Sequence, residues 1–240
     1  MKNTLIIAQR EIESYFVSPI AYVVIAAFLV VMGLLFALVV GSQPGAEASL
    51  RFVFGNVFSA IILIILGPLL TMRLLAEEQR SGTIELILTA PVRDWEVVVG
   101  KYLAGCVVYL AMLVPTLVYP LLVMRFGNPD PALFFSTYLG LILIGMAILA
   151  LGVLTSAVTQ NQIVAAFLGL ALILVLTFSE FLSTAAGEPF AGVLSYLGLF
   201  SHFFDFLRGI IDTRDVVYYL SVTVGALFLA TQALATRRWR

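Results

Sequence analysis

The side chains that could do chemistry in this sequence are few, and most patterns that an active site or a metal site requires are missing. One histidine, His202, and one cysteine, Cys106, exclude a multi-histidine metal centre and an intramolecular disulfide. A phosphate-binding P-loop needs a glycine five residues before Gly-Lys-Ser/Thr. Gly100-Lys101 has Trp95 at that place. Any ATP hydrolysis must therefore come from another chain.

Glu77, Glu78 and Arg80 are the ionisable residues whose spacing comes nearest to a catalytic set. A glutamate pair followed by arginine is similar to the active site of membrane proteases that process prenylated proteins, but here the spacing is at least one residue too short. Those proteases also need histidine partners inside the membrane, and His202 is predicted on the opposite side. A serine–histidine protease requires a Gly-x-Ser-x-Gly context, which the sequence lacks. We predict that the chain is not an enzyme.

The elements that surround these residues are long apolar runs. The 240 residues are 62% hydrophobic and 11% charged, whereas soluble domains carry about a quarter charged residues. A helix needs about 20 apolar residues to cross the hydrocarbon core. The sequence therefore predicts an all-α polytopic membrane protein whose residues 1–240 form one transmembrane domain. Its six predicted spans lie at 20–40, 52–72, 97–124, 132–158, 161–180 and 215–236.

The distribution of Lys and Arg predicts the orientation of these spans. Nine of the 13 basic residues fall on the side of the N-terminus and four on the other side, and cytoplasmic loops carry the excess. We expect both termini in the cytoplasm and the protein in the cytoplasmic (inner) membrane of a bacterium. The first apolar run is longer than the h-region of a signal peptide, which predicts an uncleaved anchor. A net charge of −1 leaves no basic surface for nucleic acid.

An amphipathic helix is predicted before the first span, over residues 4–17. Apolar side chains recur there at spacings of three and four, at Leu5, Ala8, Ile12 and Tyr15. A helix with one apolar stripe lies along the membrane surface, here on the inner face. A solvated leader is the alternative.

The cytoplasmic segment 77–92 divides at Gly82 into a charged part and an apolar part. Glu85 is the only charge in the apolar part, which also contains Thr83, Ile84, Leu86 and Ile87. A short helix in a cytoplasmic loop exposes such side chains when it docks against a partner protein or the membrane face. Merely lying in the interface is the alternative.

Three stretches resemble the membrane subunits of type-2 ATP-binding-cassette (ABC) exporters. They are RLLAEEQRSGTIELILTAPV from Arg73 to Val92, ESYFVSPIAYVV from Glu13 to Val24, and FLRGIIDTRDVVYYL from Phe206 to Leu220. The last two are similar to the branch associated with gliding motility and with copper-enzyme maturation. Together with the six-span layout, the resemblance covers nearly the whole chain.

The resemblance implies a permease that pairs with a second permease copy and docks on cytoplasmic ABC ATPase subunits. Those subunits would bind ATP and Mg²⁺, and this chain would hold no cofactor or metal. A membrane-anchored accessory protein is a further expected partner. The helix at 4–17 would be a connecting helix. The expected ATPase-coupling residues are Glu77, Glu78, Arg80, Thr83, Ile84, Glu85, Leu86 and Ile87.

The outer segment 187–211 is too apolar for an ordinary loop and predicts two short helices hinged near Gly198. Family members have a re-entrant helical pair here that closes the pore, and irregular backbone at membrane depth must be covered by protein. A superficial amphipathic pair is the alternative. The expected gate residues are Pro189, Gly198, His202, Asp205 and Arg208.

Lys101 lies one to two turns into the third span, where its long side chain is expected to reach back to the inner interface. Two other functions stay open at this point: an ion-gradient-driven secondary transporter and a membrane anchor for other proteins. The first would require an acidic residue near the midplane or an inverted repeat, and neither is found. The sequence does not identify the cargo, and export is inferred by family analogy.

Overall fold

The computed structural model describes residues 2–42, 50–85, 91–126, 130–184, 187 and 190–237. Within these ranges the chain is helical and contains no strand, which confirms the all-α prediction. The helices are α1 (Lys2–Val17), α2 (Pro19–Ser42), α3 (Leu50–Phe54), α4 (Val57–Thr71), α5 (Ala76–Ser81), α6 (Asp94–Leu113), α7 (Val118–Phe126), α8 (Pro131–Val158), α9 (Gln162–Ser183), α10 (Phe190–Tyr196), α11 (Leu199–Leu207) and α12 (Thr213–Arg237). A 3₁₀ turn at Val114–Leu117 joins α6 to α7.

Six helical segments of the described chain are long and apolar enough to cross a membrane, which confirms the predicted number. Spans 1 to 6 are Ala21–Gly41, Val57–Ser81, Asp94–Arg125, Pro131–Val158, Gln162–Ser183 and Thr213–Thr236. Span 2 therefore includes α4 and α5, and span 3 includes α6 and α7. The protein is a multi-pass membrane protein.

The charge-free run 52–72, predicted as one span, is divided at Gly55-Asn56 into α3 and α4. The Asn56 side chain accepts a hydrogen bond from the Ser59 amide at 3.0 Å and donates one to the Val53 carbonyl at 2.7 Å. Capping of this kind satisfies backbone groups on both sides of the break. A count of charges cannot show the break, because the residues that make it are uncharged.

Span 4 is the centre of the bundle and span 1 is its periphery. In the most apolar window of span 4, 78% of the residues are buried, against 11% in span 1. Glycines let the neighbouring helices approach span 4 closely. A Cβ at Gly145 would lie 2.2 Å from the Tyr109 ring, and one at Gly152 would lie 2.0 Å from the Thr71 hydroxyl.

Helix α1 packs against the start of span 3, because Gly100 has no side chain to keep it away. A Cβ at Gly100 would come within 2.9 Å of both the Thr4 carbonyl oxygen and Ile7 Cγ2. The buried face of α1 includes Thr4, Ala8 and Tyr15. Ala8 and Tyr15 of the predicted apolar stripe therefore pack against the protein, whereas Leu5 of the same stripe is exposed.

Candidate functional site

A buried lysine lies where α1, α5 and span 3 meet at the end of the bundle that carries the segment 77–92. The Lys101 ammonium is 2.8 Å from Glu11 Oε1 and 2.8 Å from Glu78 Oε1, and the Lys101 side chain is only 1% exposed. The Lys101 ammonium is thus held by two carboxylates beside the segment 77–92 and is not exposed to solvent. Its charge is compensated inside the protein, as a buried ion requires.

Two features of the sequence bring these three charges together. Gly100 allows the close approach of α1, and Lys101, the next residue, then lies beside Glu11. Glu78 belongs to the first turn of α5, which follows α4 after a short turn within span 2. Arg10 adds a second cation on the outside of this cluster, with its guanidinium 3.4 Å from Glu11 Oε1 and from Glu78 Oε1.

Span 4 also holds the N-terminus of α5. Ser156 Oγ accepts hydrogen bonds from the amides of Leu75 and Ala76, at 3.1 and 3.0 Å, and donates one to the Met72 carbonyl at 3.0 Å. Gln79 Nε2 donates to the Ala157 carbonyl at 2.9 Å. The first amides of a helix have no partner within it. A side chain of span 4 therefore supplies the acceptor for α5.

Sequence reasoning missed the part that Ser156 plays. The only signal is a polar pair, Thr155-Ser156, near the end of an apolar span. In the structure Thr155 Oγ1 bonds to the Gly152 carbonyl of its own helix, whereas Ser156 bonds across to the turn before α5. The sequence contains the polar residues but does not say which of them faces a neighbour.

Arg73 and Tyr15 join α1 to the end of α4. The Arg73 guanidinium carbon lies 4.3 Å from the centroid of the Tyr15 ring, a cation–π contact. The Tyr15 hydroxyl donates to the Leu70 carbonyl. Burial raises the pKa of Tyr15 to about 12, with nearby Arg73 opposing the shift. Tyr15 therefore stays neutral and remains a hydrogen-bond donor throughout the physiological pH range.

A polar cavity of about 530 Å³ opens among α1, α5 and the start of span 3. Charges of both signs line it, together with hydroxyl groups: Arg10, Arg73, Lys101, Glu11, Glu77, Glu78, Ser14, Ser18, Ser81 and Thr83. Glu77 and Arg80 are exposed. A surface of this composition can receive charged side chains of either sign from another protein.

The apolar part of the segment 77–92 begins after Gly82, whose positive φ of 74° ends α5 in a left-handed conformation. Thr83 and Glu85 are exposed, whereas Ile84 is buried. Ile84 therefore packs within this chain. Leu86 and Ile87, the other apolar residues expected to couple to an ATPase, lie outside the described residues.

At the opposite end of the bundle, α10 and α11 form a bent pair, called here the outer hairpin (190–207). Their axes meet at 56°. Gly198 stands at the bend, where a Cβ would lie 2.6 Å from Ser201 Oγ and 3.3 Å from Glu180 Cβ of span 5. The bend is therefore packed against span 5, and glycine fits there because space is short.

Two tyrosine hydroxyls donate hydrogen bonds to backbone carbonyls on either side of the bend. Tyr218 donates its hydroxyl to the Leu197 carbonyl at 2.7 Å, and Tyr219 donates to the Leu199 carbonyl at 2.6 Å. Both tyrosines belong to span 6. Backbone groups at membrane depth need such partners because lipid offers none.

Among the expected gate residues that the structure describes, His202 joins the outer hairpin to another element by side-chain contacts. Its Nδ1 lies 2.6 Å from Asp215 Oδ1 of span 6, and its Nε2 lies 2.9 Å from the Tyr196 carbonyl oxygen. Asp205 and Arg208 form a longer pair at 3.5 Å on the surface of the hairpin. Pro189 lies outside the described residues.

Within the described residues, six helices that are long and apolar enough to cross a membrane pack together with α1 and the outer hairpin, as in a multi-pass membrane protein. The family model described as "ABC-2 family transporter protein" matches residues 40–236. The chain belongs to this family and is a permease subunit of an ABC transporter, a membrane component without catalytic activity. Members of the family pair with an ATP-binding subunit. No curated protein matches the chain significantly.

Proposed function

We propose that the segment 77–92 couples this permease to a cytoplasmic ABC ATPase and that Lys101 transmits its movement to the spans. The observation that carries the proposal is the buried Lys101 ammonium, 2.8 Å from both Glu11 and Glu78. Glu78 belongs to the segment, Glu11 to the helix beside it, and Lys101 to span 3. Because these ion pairs connect the three elements, a displacement of the segment also displaces span 3.

Span 4 follows the same displacement. Breaking the contacts of Gln79 or Ser156 would leave a buried amide or carbonyl without a partner, at a cost of about 1 to 3 kcal/mol for each group. Separating Glu78 from Lys101 would leave a buried charge uncompensated, which costs more. The segment and the ends of spans 3 and 4 therefore move together, provided that the ATPase binds two arrangements of the permease with different affinity.

The remaining parts of the transporter are proposed on the family resemblance. Two permease copies would form the translocation pathway, and ATP with Mg²⁺ would bind to the ATPase subunits. The outer hairpin would close the pore, through Pro189, Gly198, His202, Asp205 and Arg208. The protein would lie in a bacterial inner membrane with both termini in the cytoplasm, and transport would be export. It would belong to the branch associated with gliding motility and copper-enzyme maturation. A membrane-anchored accessory protein would be a further partner. The small number of charges in the spans favours lipid-like, peptide or hydrophobic cargo.

The experiment that tests coupling does not need the cargo. A reporter cysteine is introduced by Ser201→Cys, at a partly buried position of the outer hairpin, in a background without the native cysteine. Permease and partner ATPase are reconstituted in lipid nanodiscs, and maleimide labelling is followed with and without ATP and Mg²⁺. We expect ATP to change the labelling rate, and the double variant Gln79→Ala, Ser156→Ala to lose this effect while still binding the ATPase.

Thr155→Ala is the matched control, because Thr155 is the neighbour of Ser156 but, within the described residues, its hydroxyl bonds to the Gly152 carbonyl of its own helix. It should keep the ATP effect. All variants are compared at equal abundance in the membrane and equal content of bound ATPase. An undiminished ATP effect in the double variant would show that α5 does not transmit the movement. Absence of ATPase binding by the unmodified chain would end the proposal altogether.

A further inference from the structure

Two hydrogen-bond acceptors face the two ring nitrogens of His202, but a neutral imidazole has only one N–H to donate. Nε2 faces the Tyr196 carbonyl oxygen at 2.9 Å, and Nδ1 faces Asp215 Oδ1 at 2.6 Å. A carbonyl oxygen and an ionised carboxylate can only accept hydrogen bonds, whereas a neutral imidazole has a single N–H to donate. One of the two contacts would then place two lone pairs against each other at hydrogen-bond distance.

Both contacts become hydrogen bonds when the pair holds one additional proton. That proton makes either an imidazolium beside a carboxylate or an imidazole beside a carboxylic acid, and the two descriptions contain the same number of protons. The side chains of His202 and Asp215 are 11% and 7% exposed. Asp215 Oδ2 is buried and makes no hydrogen bond within the described part of the chain. A charged Asp215 therefore depends on His202 for its compensation.

Three aromatic rings of the described chain also lie against His202. The Tyr218 ring stacks on the imidazole with centroids 4.0 Å apart, and the edges of Tyr196 and Tyr219 approach at 5.2 and 6.3 Å. An aromatic face attracts a cation, so this arrangement favours the protonated pair. Asp205 and Arg208, on the helix of His202, pair with each other.

We propose that His202 and Asp215 form a proton-binding site that locks the outer hairpin to span 6. Tyr196 is the last residue of α10, so the hydrogen bond from Nε2 holds the end of the first hairpin helix. The hydrogen bond from Nδ1 ties α11 to the first turn of span 6. A single protonated ring thus joins α10, α11 and α12 at the bend.

Acid favours the locked arrangement, because locking requires the proton and an open hairpin does not. As pH rises and the proton leaves, one of the two contacts changes from a charge-assisted hydrogen bond to a repulsion between lone pairs. The consequence for transport rests on the proposed role of the outer hairpin as a gate. The proton site itself rests only on the geometry of His202, Asp215 and Tyr196.

The test measures local opening of the full chain in lipid nanodiscs without nucleotide, using the reporter Ser201→Cys. Because thiol reactivity itself depends on pH, each labelling rate is divided by that of a reference cysteine at the exposed Gly187, measured at the same pH. Protection in the otherwise unmodified chain should fall about tenfold between about pH 5 and about pH 8.5, since one charge-assisted hydrogen bond is lost.

Asp215→Asn separates a proton-binding site from a merely structural ion pair. The new amide can donate to Nδ1 of a neutral imidazole while Nε2–H still donates to the Tyr196 carbonyl, so both contacts survive without the additional proton. Protection in Asp215→Asn should therefore stay high at both pH values. His202→Gln is the matched control: its amide nitrogen can donate to one of the two acceptors and does not titrate, so protection should be weaker and should not vary with pH.

Three results would overturn the proposal. They are constant protection of the unmodified chain across this pH range, loss of protection in Asp215→Asn at both pH values, and a fall with pH in Asp215→Asn equal to that of the unmodified chain. None of them involves the ATPase. Loss of ATP-dependent coupling would not contradict the proposed proton site, and a negative result for the proton site would not contradict the proposed coupling segment.

Discussion

Replacing Lys101 by methionine is the most informative change at the cytoplasmic cluster, because methionine keeps most of the side-chain volume and removes the charge. The Lys101 ammonium is 2.8 Å from both the Glu11 and the Glu78 carboxylate. Without it, two carboxylates remain close together in a largely buried place. We expect α1 and α5 to be held less firmly against span 3.

The size of the effect follows from the burial of the three groups. Removing one partner of a fully buried ion pair costs about 3 to 5 kcal/mol. The two carboxylates here are 15% and 16% exposed, and Arg10 remains within 3.4 Å of both. Water and Arg10 compensate part of the lost charge. We therefore expect Lys101→Met to lower the free energy of unfolding by about 2 to 4 kcal/mol.

Equilibrium unfolding in mixed detergent and dodecyl sulfate measures this free energy. A triple variant, Lys101→Met with Glu11→Gln and Glu78→Gln, removes every charge of the buried cluster and should recover most of the loss, because no buried charge is then left uncompensated. Arg10→Gln is the control. Its side chain is 62% exposed, so the change should be below about 1 kcal/mol.

Two outcomes would refute this reasoning. If Lys101→Met were as stable as the unmodified protein, the ammonium would not be compensating buried carboxylates. If the triple variant were less stable than Lys101→Met alone, the loss would come from the packing of the methionine and not from the charges left behind. Either result would also remove the physical basis for transmitting movement from Glu78 to span 3.

Two further predictions concern orientation and partner binding. Single cysteines in a background without the native one should be labelled from outside at Gly187 and only after permeabilisation at Arg80, as the basic residues indicate; labelling of Arg80 from outside would reverse the topology. Replacing Leu86 and Ile87 by Ser should weaken ATPase binding by about 2 to 5 kcal/mol and abolish co-purification. Phe190→Ser replaces an exposed apolar residue of the outer hairpin and is the control, which should still co-purify with the ATPase. If the Leu86 and Ile87 variant co-purified with as much ATPase as the control, these residues would not form the docking site.

Much of the fold could be predicted because the membrane imposes a simple rule on sequence. A charge-free run of about 20 residues is sufficient to recognise a span, whatever its neighbours are. The number of spans and the all-α class follow from that rule alone. The break at Asn56 could not be predicted in the same way, because it depends on hydrogen bonds from an uncharged side chain to Ser59 and Val53.

The candidate site was only partly predictable. Glu78 and His202 could be selected from the sequence, because ionisable residues near apolar spans are few. Their partners could not be predicted: Glu78 pairs with Lys101, which also pairs with Glu11, 90 residues away, and His202 pairs with Asp215, 13 residues away on a different helix. Sequence pattern and periodicity describe one helix at a time, so they cannot predict which residue of another helix will contact a given side chain.

The sequence by itself determined that this chain is a helical membrane protein with six spans, because exclusion of charge from hydrocarbon acts on each segment separately. The tertiary structure alone decided that Lys101 is buried between two carboxylates, that Ser156 caps a helix of another span, and that His202 faces two acceptors. Such contacts arise only when helices pack. A buried polar group must find its partner wherever the fold places one, at any distance along the chain.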